Sequence, residues 1–145
     1  MRIHTDHFGE LEIENQEAIR FPAGLPGFEN NKLFTLIGEK KEGISFFYLQ
    51  SLENGELCFV VTDPFSVYPE YEINLPEEDV SALKIEKPET LLTLAMVIIP
   101  DNMEEARVNL RAPIVINAEN KTGKQLILND ESLPQRFYLS QIESA

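Results

Sequence analysis

Proline and glycine interrupt this sequence so often that the regular elements between them must be short. Residues 21–28 alone hold two prolines and two glycines, more than a regular helix or a central strand accepts. We expect a shaped turn there, in which Gly24 and Gly27 take positive φ angles and Phe28 faces the core. The sequence therefore favours many short elements over a few long ones.

Between these breaks, apolar residues alternate with polar ones or form short runs, which predicts β-strands. Asn54-Gly55 is typical of a hairpin turn, and Asp63-Pro64 ends the strand that follows it. Residues 38–43 are expected to form a polar tip between two strands, and the apolar run 91–99 is expected to be buried on both faces. The predicted strands cover residues 11–14, 19–21, 32–37, 44–50, 57–62, 71–75, 91–99, 107–110, 114–117 and 124–128.

Only one stretch carries a convincing helix start. Pro76 is followed by three acidic residues, 77–79, and acidic side chains in a first turn interact favourably with the helix dipole. About nine or ten short strands with one or two short helices predict a mostly β fold. We expect a closed or nearly closed antiparallel β-barrel or sandwich. Its 145 residues contain no linker, repeat or low-complexity segment, which predicts a single domain over 1–145.

The sequence is strongly acidic, with 25 acidic and 12 basic residues and a net charge of −13 at pH 7. This charge repels phosphate groups, so we expect no direct binding to nucleic acid and no attachment to an anionic membrane. The apolar run 91–99 is far shorter than the roughly 20 residues that span a bilayer. No apolar leader is visible and the single cysteine has no partner in the chain, which favours the cytoplasm.

The sequence contains none of the motifs that carry common enzyme chemistry, such as a nucleophile elbow, a phosphate-binding loop or a dinucleotide fingerprint. His4 and His7 lack a third ligand at a suitable spacing, so we predict no metal site. Cys58 falls in an apolar run and is predicted to be a small buried core residue. Asp63 is expected to shape its turn rather than to act as a catalytic acid. We predict a protein that is not an enzyme and needs no cofactor.

The connection after residues 57–62 combines aromatic rings with acidic residues, a composition typical of interface anchors with a charged rim. Phe65 and Tyr71 have two open interpretations: both plug one end of the barrel, or Phe65 is an anchor for a partner. Tyr68, between a valine and a proline, is the ring that we expect to be exposed. The predicted partner-binding residues are Phe65, Tyr68, Glu70, Glu72, Glu77, Glu78 and Asp79.

Six segments carry a recognisable pattern: FGELEI (8–13), FPAGLPGFE (21–29), LQSLE (49–53), FVVTDP (59–64), NLRAPIVIN (109–117) and QLIL (125–128). In this order and spacing they resemble the bacterial flagellar assembly factor family, FliW. The likeness extends over nearly the whole chain, and six motifs in register are far more specific than any one of them.

This resemblance implies a partner switch without a chemical step. Members of the family bind newly made flagellin in the cytoplasm, and they also bind CsrA, a small RNA-binding translational repressor. A member freed by flagellin export captures CsrA and lifts repression of the flagellin message. The net charge of −13 suits a protein that must approach the lysines and arginines of an RNA-binding partner. The resemblance implies action beside the RNA surface, and an acidic mimic that covers that surface is the alternative mechanism.

Two other functions stay open at this point. A β-barrel can hold an apolar small molecule in its mouth, as a binding protein or an enzyme. A deep cavity with converging polar side chains, including His4, His7 or Cys58, would favour that function. The other is a chaperone for flagellin alone, which separate binding assays for flagellin and the repressor would distinguish from a switch.

Overall fold

Eleven strands and two short helices make up the computed structural model, which describes residues 1–38 and 45–141. The strands are β1 (Arg2–Thr5), β2 (Gly9–Glu12), β3 (Ile19–Arg20), β4 (Leu33–Ile37), β5 (Phe46–Ser51), β6 (Cys58–Thr62), β7 (Leu91–Ile98), β8 (Arg107–Val108), β9 (Ile114–Asn117), β10 (Thr122–Gln125) and β11 (Phe137–Tyr138). The helices are α1 (Pro64–Val67) and α2 (Glu77–Ala82), with 3₁₀ turns at Asn15–Glu17, Pro88–Thr90, Met103–Glu105 and Leu139–Gln141. Within the described residues, neither helix is long and apolar enough to cross a bilayer. Ile44, predicted to open a strand, and residues 39–43 of the predicted tip lie outside the described residues.

A closed barrel forms the centre of the molecule, as predicted. Among the described residues, seven strands follow one another around the ring in the order β3, β4, β5, β6, β7, β9 and β10, and β10 returns to β3. Every neighbouring pair is antiparallel except β3 and β10, which meet in parallel at Arg20 and Thr122. The predicted antiparallel barrel is therefore confirmed, with one parallel contact. An odd number of strands cannot alternate in direction around a closed ring, so one pair must be parallel.

Side chains from alternate positions of these strands fill the barrel interior. Phe21 and Phe34 are fully buried there and meet edge to face, with ring centroids 5.5 Å apart. The other buried members of the cluster are Ile19, Leu25, Leu49, Val61, Leu94, Ile114 and Ile116. The interior is a packed core.

A second apolar cluster covers the outer face of β7. Successive side chains of a strand point to opposite faces, so Leu94 enters the barrel while Ala95 and Val97 face outward under α1, β8 and β11. The middle of β7 is therefore buried on both faces, as predicted. The prediction fails at the ends of the run, because Leu92 is 37% exposed and Ile98 is 52% exposed. A third cluster lies under α2.

The segment 71–75 was expected to be a strand, and this expectation is wrong. Its side chains do alternate, with Tyr71 buried, Ile73 and Leu75 partly buried, and Glu72 exposed. The backbone is not paired with any described strand. The alternation therefore shows which side chains face the core, but it does not show that the segment belongs to a sheet. At the chain ends, the structure adds β1, which pairs with β2, and β11, which pairs with β8.

Two glycines are required for different reasons. Gly24 has a φ angle of 68°, as predicted, and a Cβ atom there would lie 2.6 Å from the Cα of Glu29. Gly55, in the turn between β5 and β6, has no positive φ angle, but a Cβ atom there would lie 2.0 Å from the carbonyl oxygen of His4. The hairpin of β1 and β2 therefore lies directly on that turn. Phe28 is 40% exposed against Phe59, so the prediction that it faces the core is wrong.

Candidate partner-binding surface

Asp63 shapes the connection after β6, as predicted. Its carboxylate accepts hydrogen bonds from the Phe65 backbone N–H at 2.9 Å and from the Ser66 hydroxyl at 3.3 Å, which caps the single turn of α1. Because Pro64 and Val67 are the buried residues of this turn, Phe65 points outward. Its ring is 44% exposed and leans on Tyr71 at a centroid distance of 5.6 Å. Phe65 therefore fits the anchor interpretation better than the plug.

Tyr68 is half-buried, so the expectation that it is the exposed ring is wrong. Its ring meets the ring of Phe137 in β11 edge to face, with the centroids 5.4 Å apart. This contact could not be predicted from the sequence, because a strand of two residues shows no periodicity. Tyr71 is buried, as expected, and its hydroxyl donates a hydrogen bond to the Leu110 carbonyl oxygen at 2.8 Å. Burial raises the pKa of Tyr71 to about 12.

Four of the five predicted acidic residues are exposed: Glu70, Glu72, Glu77 and Glu78. Asp79 differs, since it is only 4% exposed and forms an ion pair with Lys124. The expectation that Asp79 presents a free charge is therefore wrong. It stands in the first turn of α2 on the side that faces β10, where an unpaired buried carboxylate would be costly. Whether any of the seven residues contacts a partner stays a prediction.

The mouth groove has a volume of about 290 Å³ and lies at one end of the barrel. It is lined by Leu36, Phe47 and Leu92. Each of them is two residues along its strand from a side chain that is buried inside the barrel: Phe34, Leu49 and Leu94. Its remaining lining residues are Ser45, Asp63, Phe65, Ser66, Leu91, Thr93 and Leu94. The carboxylate of Asp63 is engaged in the cap of α1. The described lining residues are thus mostly apolar and include no pair of a free acid and a free base.

The residues that would have supported an enzyme lie elsewhere. His4 and His7 are exposed on the hairpin of β1 and β2, and neither lines the mouth groove. Cys58 is partly exposed, which corrects the prediction of a buried core residue. Desolvation nevertheless raises the pKa of its thiol, which disfavours the nucleophilic thiolate. Among the described residues, no group of three or more His, Cys, Asp or Glu side chains could hold a metal ion.

The α2 groove is larger, about 490 Å³, and runs between the start of α2 and the chain from β10 onward. Asn74, Pro76, Glu78 and Asp79 form one wall, and residues 124–129 form the other. No function was predicted for the second wall. Its residues Leu126, Ile127 and Leu128 are consecutive and apolar, and the side chains of such an extended segment point to alternate faces. One of them had to face outward, and Ile127 is 69% exposed. The two grooves share no lining residue: of the predicted set, Phe65 lines the mouth groove, and Glu78 and Asp79 line the α2 groove.

An apolar patch also lies where β7 leads into β8. Ile98, Ile99 and Met103 are 52%, 42% and 63% exposed. A groove of about 300 Å³ beside Ile98 is lined by Arg107 and Arg136, which are rare cations in this acidic chain. This patch was not predicted from the sequence, because the apolar run 91–99 was expected to be buried on both faces.

Comparisons with known proteins agree with the fold. The sequence profile described as FliW protein matches residues 2–139. The flagellar assembly factor FliW of Thermoanaerobacter pseudethanolicus is 41% identical over 146 aligned positions, which cover 100% of this chain and 97% of the relative. The protein of the same name from Caldicellulosiruptor saccharolyticus is 41% identical over 132 residues, 91% of this chain and 86% of the relative.

Among solved structures, a crystal structure of the flagellar assembly factor FliW superposes with a TM-score of 0.87 at 33% identity and covers 96% of both chains. The family profile, the relatives and the solved structure all extend over nearly the whole chain, as the six segments implied. The resemblance is confirmed, and the chain belongs to the FliW family of flagellar assembly factors.

Proposed function

We propose that this protein is a cytoplasmic partner switch that binds flagellin and, when free of flagellin, binds and antagonises the translational repressor CsrA. Capture of CsrA relieves repression of flagellin translation, and occupation by flagellin restores it. Membership of the flagellar assembly factor family is the observation that carries this proposal. The protein acts by binding alone and catalyses no reaction.

The distribution of charge supports the CsrA half of the proposal. A protein that represses translation by binding RNA presents lysine or arginine to phosphate groups. Glu70, Glu72, Glu77 and Glu78 are exposed along one stretch of this chain and carry the opposite sign. Opposite charges raise the rate of encounter and select against wrong partners more than they raise affinity. A bound acidic protein also repels RNA from a surface that it does not itself cover.

The grooves favour a binding protein over the small-ligand alternative. The barrel interior is filled by apolar side chains, and the polar groups at its mouth include the engaged carboxylate of Asp63. A flagellin-only chaperone differs from the switch solely in the CsrA interaction, so that interaction is the one to measure.

The decisive experiment is a reconstitution with purified CsrA, purified flagellin and the leader RNA of a flagellin message. We expect the protein to bind CsrA, to release it when flagellin is added, and to lower the maximal amount of CsrA–RNA complex at fixed ionic strength. Binding to flagellin without binding to CsrA would leave only the chaperone function. Binding to neither would reject the proposal, and a purely competitive shift would replace action beside the RNA surface with direct mimicry.

The double substitution Glu77→Lys with Glu78→Lys tests the acidic stretch. Both side chains are exposed, so we expect slower association with CsrA and a flatter dependence on salt, with a thermal midpoint close to that of the wild type. Glu104→Lys with Glu105→Lys is the matched control, because it changes two adjacent exposed acids at another surface by the same charge. Equal effects in both variants would show that net charge acts without a local site.

A further inference from the structure

The second wall of the α2 groove is an unpaired edge of the sheet. Residues 126–129 continue β10 in extended form beyond Gln125. On one side, Leu126 donates its backbone N–H to the Pro113 carbonyl oxygen at 2.8 Å, and Leu128 donates to the Arg111 carbonyl oxygen at 2.7 Å. Backbone groups of successive residues in an extended strand point to opposite sides. The N–H of Ile127 therefore points away from residues 111–113, and Ile127 itself lines the α2 groove.

Nothing in the described part of the chain satisfies this edge. Across residues 1–38 and 45–141, the backbone N–H groups of Ile127 and Asn129 donate to no acceptor. The opposite wall does not fill the gap, because residues 72–75 likewise make no backbone hydrogen bond with a described residue. Asn74 of this segment and residues 126–129 thus border the same groove of about 490 Å³ without pairing to each other. Proteins usually protect such edges, since an exposed edge is a template for another strand.

The side chains around the groove define the strand that would fit it. Ile127 offers an apolar side chain that is 69% exposed. Glu78 lines the groove and is exposed, and the exposed Glu72 stands two positions before the lining residue Asn74. Lys124 is the one cation among the lining residues, and its charge is matched by Asp79. The local charge is therefore negative, which suits an incoming segment with lysine or arginine.

We propose that the α2 groove binds an extended cationic segment of a protein partner, which adds as a strand to the edge formed by residues 126–129. In such β-augmentation the backbone hydrogen bonds provide affinity, and the side-chain pockets provide specificity. The identity of the partner rests on the proposed function, in which the repressor CsrA binds RNA and so presents lysine or arginine to phosphate groups. The groove and its unpaired N–H groups are independent of that identification.

The test removes one backbone hydrogen-bond donor on the groove side and keeps the backbone hydrogen bonds that hold residues 126–129 to residues 111–113. Ile127→Pro loses the N–H on the groove side, while Leu126 and Leu128 keep the N–H groups that they donate to Pro113 and Arg111. The extended backbone before the new proline is the conformation that proline favours. Ile127→Val is the matched control, because it keeps the N–H and a β-branched apolar side chain. Circular dichroism and thermal unfolding verify that both variants fold.

We expect Ile127→Pro to weaken binding to purified CsrA by about tenfold. The variant loses one hydrogen bond to the added strand and disturbs the register in which that strand pairs. Ile127→Val should stay within about twofold of the wild type. In the unmodified protein, amide hydrogen exchange at Ile127 and Asn129 should slow by at least about tenfold when CsrA binds. This second measurement does not depend on the folding of any variant.

The outcomes separate the two proposals. If the wild type binds CsrA, and both the affinity of Ile127→Pro and the exchange at Ile127 and Asn129 are unchanged, the groove is not the site and the partner switch stands. If flagellin instead of CsrA protects these amides, the choice of a cationic occupant is wrong. If the wild type does not bind CsrA at all, the partner switch and this occupant both fail.

Discussion

Inside the ring of seven strands each strand has a hydrogen-bonded neighbour on both sides. Outside it, residues 126–129 are hydrogen-bonded on one side only, and residues 72–75 make no backbone hydrogen bond with a described residue. The ring encloses apolar side chains such as Phe34 and Leu49, and the outer segments expose Glu72 and Ile127. Residues on the first region are fixed by packing. Those on the second are held from one side only, which leaves their other side available to a partner.

The strongest test of this contrast compares two phenylalanines. Phe34 is fully buried in the barrel, and Phe65 is 44% exposed on α1. We expect Phe34→Ala to lower the free energy of unfolding by about 3–5 kcal/mol, because it removes a buried ring and leaves a cavity. Phe65→Ala should cost less than about 1 kcal/mol. Urea unfolding measures both, and similar losses would show that α1 packs as tightly as the barrel.

A smaller effect is expected at two neighbouring acids of α2. Asp79 is buried in its ion pair with Lys124, and Glu78 is exposed. Asp79→Ala should lower the free energy of unfolding by about 2 kcal/mol, less than for a fully buried pair because the Lys124 side chain is 44% exposed. Glu78→Ala should change it by no more than about 0.5 kcal/mol. Equal values at pH 7 would mean that the ion pair contributes nothing to stability.

The smallest effect concerns Tyr71, which directly precedes residues 72–75 and donates its hydroxyl to the Leu110 carbonyl oxygen between β8 and β9. Its pKa is raised from 10 to about 12 by burial. Below pH 10 the folded and unfolded states both keep the phenol proton. Between pH 10 and 12 the unfolded state loses the proton first, so the free energy of unfolding falls with rising pH, by about 1 kcal/mol between pH 10 and 11.

Tyr71→Phe isolates this contribution, since all other titrating groups are common to both proteins. The difference in unfolding free energy between wild type and variant should be constant up to about pH 10 and should shrink above it. A difference that stays constant up to pH 12 would show that the phenol titrates alike in both states.

The sequence was sufficient for features that depend on neighbouring residues. Asp63 caps α1 through the backbone N–H two residues later, and α2 begins where Pro76 and three acids predicted it. Alternation also identified Tyr71 as buried. In each case the governing contacts or periodicity lie within a few positions, and a pattern along the chain records them.

Features that depend on distant residues could not be predicted in this way. Asp79 is buried because Lys124, which is 45 residues further along the chain, reaches it. Tyr68 is covered by Phe137 of a strand too short to show periodicity. The alternation at 71–75 correctly placed side chains but predicted a strand, since a sequence pattern does not show whether a backbone has a partner. The α2 groove exists because that partner is missing among the described residues.

The parallel contact between β3 and β10 has a consequence for how this architecture can vary. A homologue that gains or loses a whole hairpin changes the number of strands in the ring by two. The number stays odd, so the ring still needs a parallel pair of strands. Only the addition or removal of a single strand would make the parallel pair unnecessary. The chain after that strand would then continue from the opposite end of the barrel. Evolution can thus lengthen this scaffold in pairs while the location of its termini and grooves is preserved.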